Sequence, residues 1–329
     1  MKFIALSVRD DEIPAIKEWE KRHPGTTVDA VDWEINMDTI DRVKGYDGIV
    51  IQQRGVIDKG VYPKLKEMGF KQMTTRTAGY DNYDLKLARE NGLTVTNVPA
   101  YSPRSVAELA LTHTMRLIRK QPQFDERMSH QNFRWAGLEA MEIHSMTIGI
   151  IGAGRIGATS AQIFNALGAK VIAFDVKPNH ELDSILTFKT KEEVLKESDV
   201  VCLHVDLNEN TKNLIDAQAL KMMKPTAYLV NECRGPVIDT DALIEALENK
   251  EIAGAALDTL TGEENFFNFD LEGKELPSEQ LKKLRGMVNV ILTPHVGFYT
   301  NIAVQNMVDT SLDDAYKIVE GKTSEHAVN

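Results

Sequence analysis

Cysteine is scarce in this chain, whose 329 residues include only two, Cys202 and Cys233. Both lie in apolar runs of the kind that form buried strands, so we predict free thiols in a reducing compartment. Neither a disulfide nor a metal site is expected from them. The scarcity favours a cytoplasmic protein.

Long hydrophobic runs and an excess of basic residues are also lacking. No apolar stretch approaches the roughly twenty residues of a membrane span. The opening MKFIALSV is too short for the core of a signal peptide and is predicted to be the first strand. Lysine and arginine number 38 against 49 aspartates and glutamates, which gives a net charge of -11 and a pI near 5.3. Such a surface repels nucleic acid and anionic membranes, so neither is expected as a partner.

The most informative stretch is residues 147–175, TIGIIGAGRIGATSAQIFNALGAKVIAFD, which reads as strand, glycine turn, helix, strand and acid. In a dinucleotide-binding unit, Gly152 would allow the tight turn, Gly154 would admit the pyrophosphate and Gly157 would let helix and strand pack closely. The phosphates would bind the amides at the helix start. Asp175 would accept hydrogen bonds from the ribose hydroxyls and repel a 2'-phosphate, so NAD is predicted rather than NADP.

Two alternatives stay open at this point. Lys177, close to Asp175, weakens the argument against NADP. A methyltransferase that binds S-adenosylmethionine could also use a glycine turn followed by an acid. The stretch alone therefore does not establish redox chemistry.

Short apolar runs alternate with segments of helical period along most of the chain, which predicts βαβ units and parallel sheets. The composition, 43% hydrophobic and 26% charged, is that of a globular protein, and the length suffices for two domains. We predict an α/β protein with two doubly wound parallel-sheet domains. Residues 1–100 with 300–329 would form the substrate domain, and residues 101–299 the NAD-binding domain.

Three polar residues follow predicted strands of the second domain, where open α/β sheets present functional groups. Arg234 could hold a substrate carboxylate by two charge-assisted hydrogen bonds. His295 could exchange a proton with a carbinol oxygen, and Glu263 could fix the tautomer of that histidine. Beside NAD, these groups suit hydride transfer to or from a 2-hydroxy acid.

Taken singly, each of these residues is more simply explained as structural. Glu263 and Glu264 might suggest a glycosidase pair, but sequence neighbours seldom face one substrate from opposed sides. His204, near a strand end, could touch the cofactor. The remaining histidines considered are expected to be surface or packing residues: His23, His113, His130, His144 and His180.

Nearly the whole chain resembles the D-specific 2-hydroxyacid dehydrogenases, and most closely their bacterial D-lactate dehydrogenases. The motifs that carry the resemblance are VRDDE (8–12), NVPAYSPRSVAELAL (97–111), GAGRIG, AGAALD (253–258), NVILTPHVGFYT (289–300) and AVQNMV (303–308). The resemblance implies a flavodoxin-like catalytic domain, a Rossmann nucleotide-binding domain, an active site in the cleft and a homodimer. It also implies that Arg234 binds the substrate carboxylate, that His295 is the acid/base and that Glu263 supports His295.

The same resemblance assigns further residues to the two ligands. Cofactor positions beyond the three glycines map onto Arg155, Ile156, Asp175, Val205, Asp206, Thr211, Cys233 and Asp258. Substrate positions map onto Gln52, Ala78, Gly79, Tyr101 and Phe298.

Four departures from the family pattern are visible. Asp206 replaces a proline, Thr77 replaces an asparagine, and DTLT (258–261) replaces DVYE or DTYE. Gln52 stands where lactate enzymes tend to carry a tyrosine, which would widen the substrate pocket or make it more polar. We therefore expect reduction of pyruvate and also of bulkier acids such as 2-oxoisocaproate and phenylpyruvate.

Three alternatives remain for the function. The chain could prefer a bulkier acid over pyruvate. It could be an NAD-sensing corepressor, since regulators of this kind share the fold and the trio of arginine, glutamate and histidine. It could also act on formate, phosphite, glycerate or phosphoglycerate, although a phosphorylated substrate would call for more basic residues.

Overall fold

The computed structural model describes residues 1–53 and 55–329 and forms two compact units. Unit 1 comprises residues 1–102 and 299–329, and unit 2 comprises residues 103–298. Each unit is built around one parallel sheet. The predicted division into a substrate domain (1–100 with 300–329) and an NAD-binding domain (101–299) stays a prediction.

Within its described residues, unit 1 has a five-stranded parallel sheet in the order β2-β1-β3-β4-β5. Its strands are β1 (Lys2–Leu6), β2 (Thr27–Ala30), β3 (Gly48–Ile51), β4 (Gln72–Thr75) and β5 (Thr94–Thr96). Its helices are α1 (Ile13–Arg22), α2 (Val61–Glu67), α3 (Leu85–Glu90) and α11 (Asn301–Val319).

Both faces of this sheet are buried, because side chains of a strand point alternately to either side. Along β1, Phe3 and Ala5 join the cluster beneath α1 and α11, whereas Ile4 and Leu6 join the cluster on the other face. The last helix is fastened to the first by the Trp19 indole, which donates to the Asp313 carboxylate at 2.7 Å. Helix α11 therefore packs beside α1 on the sheet of unit 1.

Unit 2, all of which is described, has a seven-stranded parallel sheet in the order β12-β11-β10-β9-β6-β7-β8. Its strands are β6 (Thr147–Ile151), β7 (Lys170–Phe174), β8 (Thr187–Phe188), β9 (Val200–Leu203), β10 (Tyr228–Asn231), β11 (Gly254–Leu257) and β12 (Val290–Leu292). Its helices are α4 (Pro103–Ile118), α5 (Gln121–Ser129), α6 (Arg155–Ala166), α7 (Lys191–Glu197), α8 (Ala217–Met222), α9 (Thr240–Glu248) and α10 (Glu279–Gly286).

The strand order of unit 2 reverses between β6 and β9, since β6 to β8 run outward on one side and β9 to β12 on the other. Helices α4 and α6 cover one face, and α8 and α9 cover the other. Ligands of such sheets bind at the carboxyl ends beside the reversal. The predicted fold class, two doubly wound parallel α/β sheets, is confirmed. Strand β8 was missed because two residues carry too short an apolar signal.

Helices of the described residues are all too short or too polar to cross a bilayer.

Candidate active site

Strands β10, β11 and β12 are parallel neighbours, so their carboxyl ends lie side by side at one edge of the sheet. Arg234 follows β10, Glu263 follows β11 and His295 follows β12. The topology therefore brings the predicted trio to three consecutive strand ends of unit 2.

His295 and Glu263 are in direct contact, with Nδ1 of the ring 2.6 Å from Oε1 of the carboxylate. The second oxygen, Oε2, accepts the Leu260 amide at 2.8 Å, which fixes the carboxylate. Because an ionised carboxylate only accepts hydrogen bonds, Nδ1 carries a proton in this contact. The other ring nitrogen, Nε2, is left to exchange a proton with a ligand, and the side chain is 36% exposed.

The loop that carries His295 is held by Asp258, which is buried with 1% of its surface exposed. His295 has a left-handed backbone, with φ of +57°, a conformation that costs a non-glycine residue about 1 kcal/mol or more. Its amide donates to the Asp258 carbonyl at 2.8 Å. The Asp258 carboxylate accepts from the Thr293 hydroxyl at 2.5 Å and from the amides of Val296 and Gly297 at 2.9 and 2.8 Å. These bonds offset the backbone strain and fix the ring.

Arg234 lies in a loop that packs tightly on the loop bearing Glu263. A Cβ at Gly235 would lie 2.1 Å from the Leu260 carbonyl carbon, so only glycine allows this approach. The Asn231 side chain donates to the Arg234 carbonyl and to the Thr259 hydroxyl, both at 3.2 Å, and so links the loops after β10 and β11. Arg234 and the His295–Glu263 pair are therefore anchored to a common frame.

The glycine turn after β6 has the geometry that a dinucleotide requires. Gly152 has φ of +93°, and a Cβ there would lie 2.5 Å from the His204 carbonyl oxygen. A Cβ at Gly157 would lie 1.9 Å from the Gly152 carbonyl oxygen, so α6 can approach β6 only through glycine. Gly154 has open space where its Cβ would be. The cradle therefore fits a pyrophosphate at the first turn of α6, which includes Arg155 and Ile156.

Asp175 follows β7 and braces the same turn. Its Oδ2 accepts the Ala153 amide at 2.7 Å and its Oδ1 accepts the Lys177 amide at 2.8 Å. Each carboxylate oxygen retains a further lone pair for a ribose hydroxyl. The local structure thus keeps the predicted ribose site in register with the predicted phosphate site.

The remaining cofactor candidates belong to the loops after β9 and β10. Val205 packs partly buried on the core, and the Thr211 hydroxyl donates to the exposed Asp206 carbonyl at 2.6 Å, which closes a turn. The Cys233 thiol is buried and donates to the Asn231 side-chain oxygen at 3.0 Å. Burial raises the pKa of this thiol to about 11, so it is a neutral packing group at ordinary pH.

His204, whose sequence position near a strand end suggests contact with the cofactor, lies against the glycine turn. Its Nε2 is 3.0 Å from the Ser160 hydroxyl, and its Nδ1 is buried with no hydrogen-bond partner among the described residues. Burial lowers the pKa of this imidazole to about 4. The ring is therefore neutral under working conditions.

This burial makes a prediction about acid stability. The pKa of an unfolded histidine is near 6.5, whereas the pKa of His204 in the folded chain is about 4. Between these two pH values the unfolded chain binds a proton at this residue and the folded chain does not. Stability should fall as the pH falls through that window, by up to about 3 kcal/mol from this group. Replacement by glutamine, His204→Gln, should remove much of that loss, measured by urea unfolding over the window. The exposed His144→Gln is the control, and parallel curves for both variants and the wild type would refute the assignment.

In unit 1, Gln52 is oriented by a buried arginine. Arg76 pairs with Glu12 at 2.8 Å and also donates from Nε to Oε1 of Gln52 at 3.3 Å. Because arginine has no acceptor, the amide oxygen of Gln52 must face it, which leaves the amide NH2 for the other side. Position 52 thus presents a hydrogen-bond donor on the side away from Arg76.

The RTAG loop after β4 is internally braced. The Thr77 hydroxyl donates to the Gly79 carbonyl at 2.6 Å, and Asn97 donates to the Ala78 carbonyl at 2.7 Å. Within residues 1–53 and 55–329, the amides of Ala78 and Gly79 make no hydrogen bond. Thr77 therefore braces a loop that can offer two backbone amides.

Two aromatic substrate candidates fall in different units. The Tyr101 carbonyl accepts from the Asn306 side chain at 2.8 Å within unit 1. Phe298, in unit 2, contacts His295 edge to face, with ring centroids 6.3 Å apart.

A buried pair, His113 and Glu232, was missed. His113 was expected to be a surface or packing residue, and its ring is indeed buried, 1% exposed; the contact that was not predicted joins its Nδ1 to Oε1 of Glu232 at 2.6 Å. These residues are 119 positions apart, so no local pattern could connect them.

Comparison with known proteins gives consistent matches. A family model described as D-isomer specific 2-hydroxyacid dehydrogenase, NAD binding domain, matches residues 111–297. A D-2-hydroxyacid dehydrogenase (NAD(+)) of Clostridioides difficile is 45% identical, and the match covers 100% of each chain. A solved D-lactate dehydrogenase from Sporolactobacillus sp is 62% identical with a TM-score of 0.88, covering 100% of this chain and 99% of that one. A solved D-2-hydroxyisocaproate dehydrogenase is 34% identical with a TM-score of 0.91, covering 98% of each.

Proposed function

This chain belongs to the D-isomer specific 2-hydroxyacid dehydrogenases, with NAD as cofactor, and we propose that it reduces pyruvate and bulkier 2-oxo acids to their D-2-hydroxy acids. The observation that carries the proposal is the 2.6 Å contact of His295 with Glu263, beside the strand end that bears Arg234. Arginine, histidine and carboxylate are the groups that this reaction needs.

In the proposed reaction, Arg234 binds the substrate carboxylate through its guanidinium fork and polarises the carbonyl. His295 donates a proton from Nε2 to the carbonyl oxygen, while Glu263 holds Nδ1 and stabilises the charged ring. Bound NADH supplies the hydride for the carbonyl carbon. In the reverse direction His295 accepts the proton of the hydroxyl group.

The cofactor would be held by unit 2. We assign the phosphates to the turn at Gly152, Gly154 and Gly157, and the adenosine ribose to Asp175. The other residues proposed to line the nucleotide are Arg155, Ile156, Val205, Asp206, Thr211, Cys233 and Asp258. Support comes from the cradle geometry at the glycines.

For the substrate, we propose that Ala78 and Gly79 offer backbone amides to the carboxylate and that Tyr101 and Phe298 line the pocket. Gln52 would form a wall that is wider and more polar than one made by tyrosine. The likeness to a D-2-hydroxyisocaproate dehydrogenase supports acceptance of branched acids, and it leaves open a preference for such acids over pyruvate.

Absorbance assays of NADH oxidation test the function directly, with pyruvate, 2-oxoisocaproate and phenylpyruvate offered in parallel and NADPH as the control. Turnover of all three acids with NADH and little with NADPH is expected. Absence of turnover with all three acids, while NADH still binds, would refute the proposed reaction.

The pocket wall can be tested by Gln52→Tyr, which should raise the ratio of kcat/KM for pyruvate to that for 2-oxoisocaproate by about tenfold or more, since a ring refills the space. Gln52→Leu keeps the space and removes the amide, so it should leave that ratio nearly unchanged if size decides. A wild-type enzyme strongly selective for pyruvate would count against the widened pocket.

We also propose a homodimer formed through residues 121–142 of unit 2. This segment exposes Met128, Phe133 and Trp135, with 54%, 68% and 80% of each residue accessible. Exposed apolar side chains clustered in one segment are typical of an interface.

Trp135→Glu should therefore raise the dimer dissociation constant by at least about tenfold, the usual loss at a central aromatic contact. Analytical ultracentrifugation would measure this shift, with Leu167→Glu, at an exposed position directly after α6, as the control. An unchanged dimer dissociation constant in the Trp135 variant would place the interface elsewhere. A monomeric wild-type protein would contradict the proposed homodimer.

A cytoplasmic location is proposed from the two free cysteines, Cys202 and Cys233, both buried.

A further inference from the structure

Beneath the candidate active site lies a buried pair of titratable residues that the proposed chemistry does not use. His113 is on α4, and Glu232 follows β10 two positions before Arg234. Their side chains are 1% and 0% exposed, and Nδ1 of His113 lies 2.6 Å from Oε1 of Glu232. The other carboxyl oxygen, Oε2, is buried without a partner among the described residues.

This pair is connected to the loop that carries His295. Nε2 of His113 lies 3.5 Å from the Thr293 hydroxyl, which in turn lies 2.5 Å from Oδ1 of Asp258. Asp258 also binds the amides of the two residues after His295. A continuous chain of contacts therefore runs from Glu232 to the loop that places the catalytic ring.

The donors and acceptors of this chain fix the positions of its protons. A carboxylate that receives three donors only accepts, so the hydroxyl proton of Thr293 points to Asp258. The hydroxyl oxygen can then accept from His113, which places the ring proton on Nε2. In a neutral ring Nδ1 is the acceptor, so the proton in the 2.6 Å contact comes from a protonated Glu232.

The surroundings favour this neutral form. Burial, together with repulsion from Asp258, raises the pKa of Glu232 well above its usual value, against an opposing effect of His295. Burial lowers the pKa of His113 to about 4, with Asp258 opposing the shift and Arg116 adding to it. The nearby thiols, Cys202 and Cys233, are also neutral, since burial raises their pKa values to about 12 and about 11.

We propose that Glu232 and His113 are positioning residues of the reductase, in which protonated Glu232 holds His113 as its Nε2–H tautomer. This tautomer directs the Thr293 hydroxyl to Asp258 and thereby fixes the loop of His295. The role rests on the proposed function, because positioning matters for catalysis only if His295 is the proton donor.

Loss of the Glu232 proton donor has a definite structural consequence. His113 can then take the Nδ1–H tautomer, and its Nε2 becomes an acceptor. His113 then competes with Asp258 for the proton of the Thr293 hydroxyl. The Asp258 carboxylate then loses one of its three donors, and the left-handed backbone at His295 loses part of its support.

Three variants separate these roles. Glu232→Gln keeps the length and an N–H donor for Nδ1 of His113, whereas Glu232→Met keeps the approximate size and offers no donor. Thr293→Val keeps the shape of the side chain and removes the hydroxyl link. Thermal unfolding of each variant identifies any loss caused by misfolding.

Steady-state kinetics with pyruvate and NADH across the pH range of activity provide the first readout. Glu232→Met and Thr293→Val should lower kcat by about three- to tenfold with little change in KM, the size expected for one lost hydrogen bond. Glu232→Gln should stay within about twofold of the wild type, as expected where no hydrogen bond is lost, with the same pH profile. Equal kcat values in Glu232→Gln and Glu232→Met, whether both fall or neither does, would overturn the proposal.

Nitrogen-15 NMR of the histidine rings provides a readout that needs no turnover. His113 should show the neutral Nε2–H tautomer in the wild type and in Glu232→Gln, and a changed tautomer in Glu232→Met. The His295 signals should move in the Met and Val variants only. A charged or Nδ1–H ring in the wild type, or unmoved His295 signals in both variants, would overturn the positioning role. If the wild type turned over none of the acids while these signals behaved as expected, the proposed reaction would fail and the structural coupling would stand.

Discussion

Replacement of His295 by asparagine is expected to lower kcat for 2-oxo acid reduction by roughly 10²- to 10⁴-fold, the usual contribution of a positioned acid or base. Asparagine suits the test because it tolerates the left-handed backbone at this position, where φ is +57°. It can also keep a hydrogen bond to Glu263, yet it has no group that releases a proton near neutral pH. The loss should therefore reflect chemistry and not a displaced loop.

The control for this variant is His144→Asn, since His144 is 63% exposed and lies 3.5 Å from a glutamate on the surface of the same unit. NADH binding, followed by fluorescence, should be unchanged in both variants. Glu263→Gln should give a smaller fall in kcat, because the ring keeps a hydrogen-bond partner. A His295→Asn enzyme with nearly full kcat would remove this residue from the acid/base role.

Arg234→Gln is the second variant with a large expected effect, a fall in kcat/KM for pyruvate of about 30-fold to several thousand-fold. This range corresponds to roughly 2–5 kcal/mol for truncating one partner of a hydrogen-bonded charge pair. Arg234→Lys keeps the charge without the planar fork, so it should recover only part of the loss. The backbone at Arg234 is extended, with φ of -142°, so neither substitution strains the loop.

The matched control is Arg285→Gln, since Arg285 is an exposed arginine on α10, and this variant should leave kcat/KM unchanged. Affinity for NADH should also be kept in Arg234→Gln, since the predicted partner of this arginine is the substrate carboxylate. A loss confined to NADH binding, with normal use of pyruvate at saturating NADH, would contradict the assignment.

Much of the fold could be predicted because local patterns determine it. Most strands coincide with short apolar runs, and the glycine turn needs a positive φ at Gly152 and a close approach at Gly157 that no other residue permits. The neighbouring strand ends of Arg234, Glu263 and His295 follow from the alternation of strands and helices, since parallel strands present their carboxyl ends at one edge.

Other features could not be predicted because they depend on contacts distant in sequence. Asp258 was expected to line the cofactor, and its role in bracing the His295 loop emerges only from the hydrogen bonds to residues 293–297. The orientation of Gln52 depends on Arg76, and the buried polar contact of His113 depends on Glu232. Nothing in the local sequence around these residues marks them as partners.

The most direct test of the central claim is chiral analysis of the product formed from pyruvate and NADH, with the amount of each lactate enantiomer compared with the NADH consumed. We predict D-lactate in one-to-one proportion to oxidised NADH, and loss of that product in His295→Asn. Formation of L-lactate, or intact NADH binding without any lactate, would contradict the account.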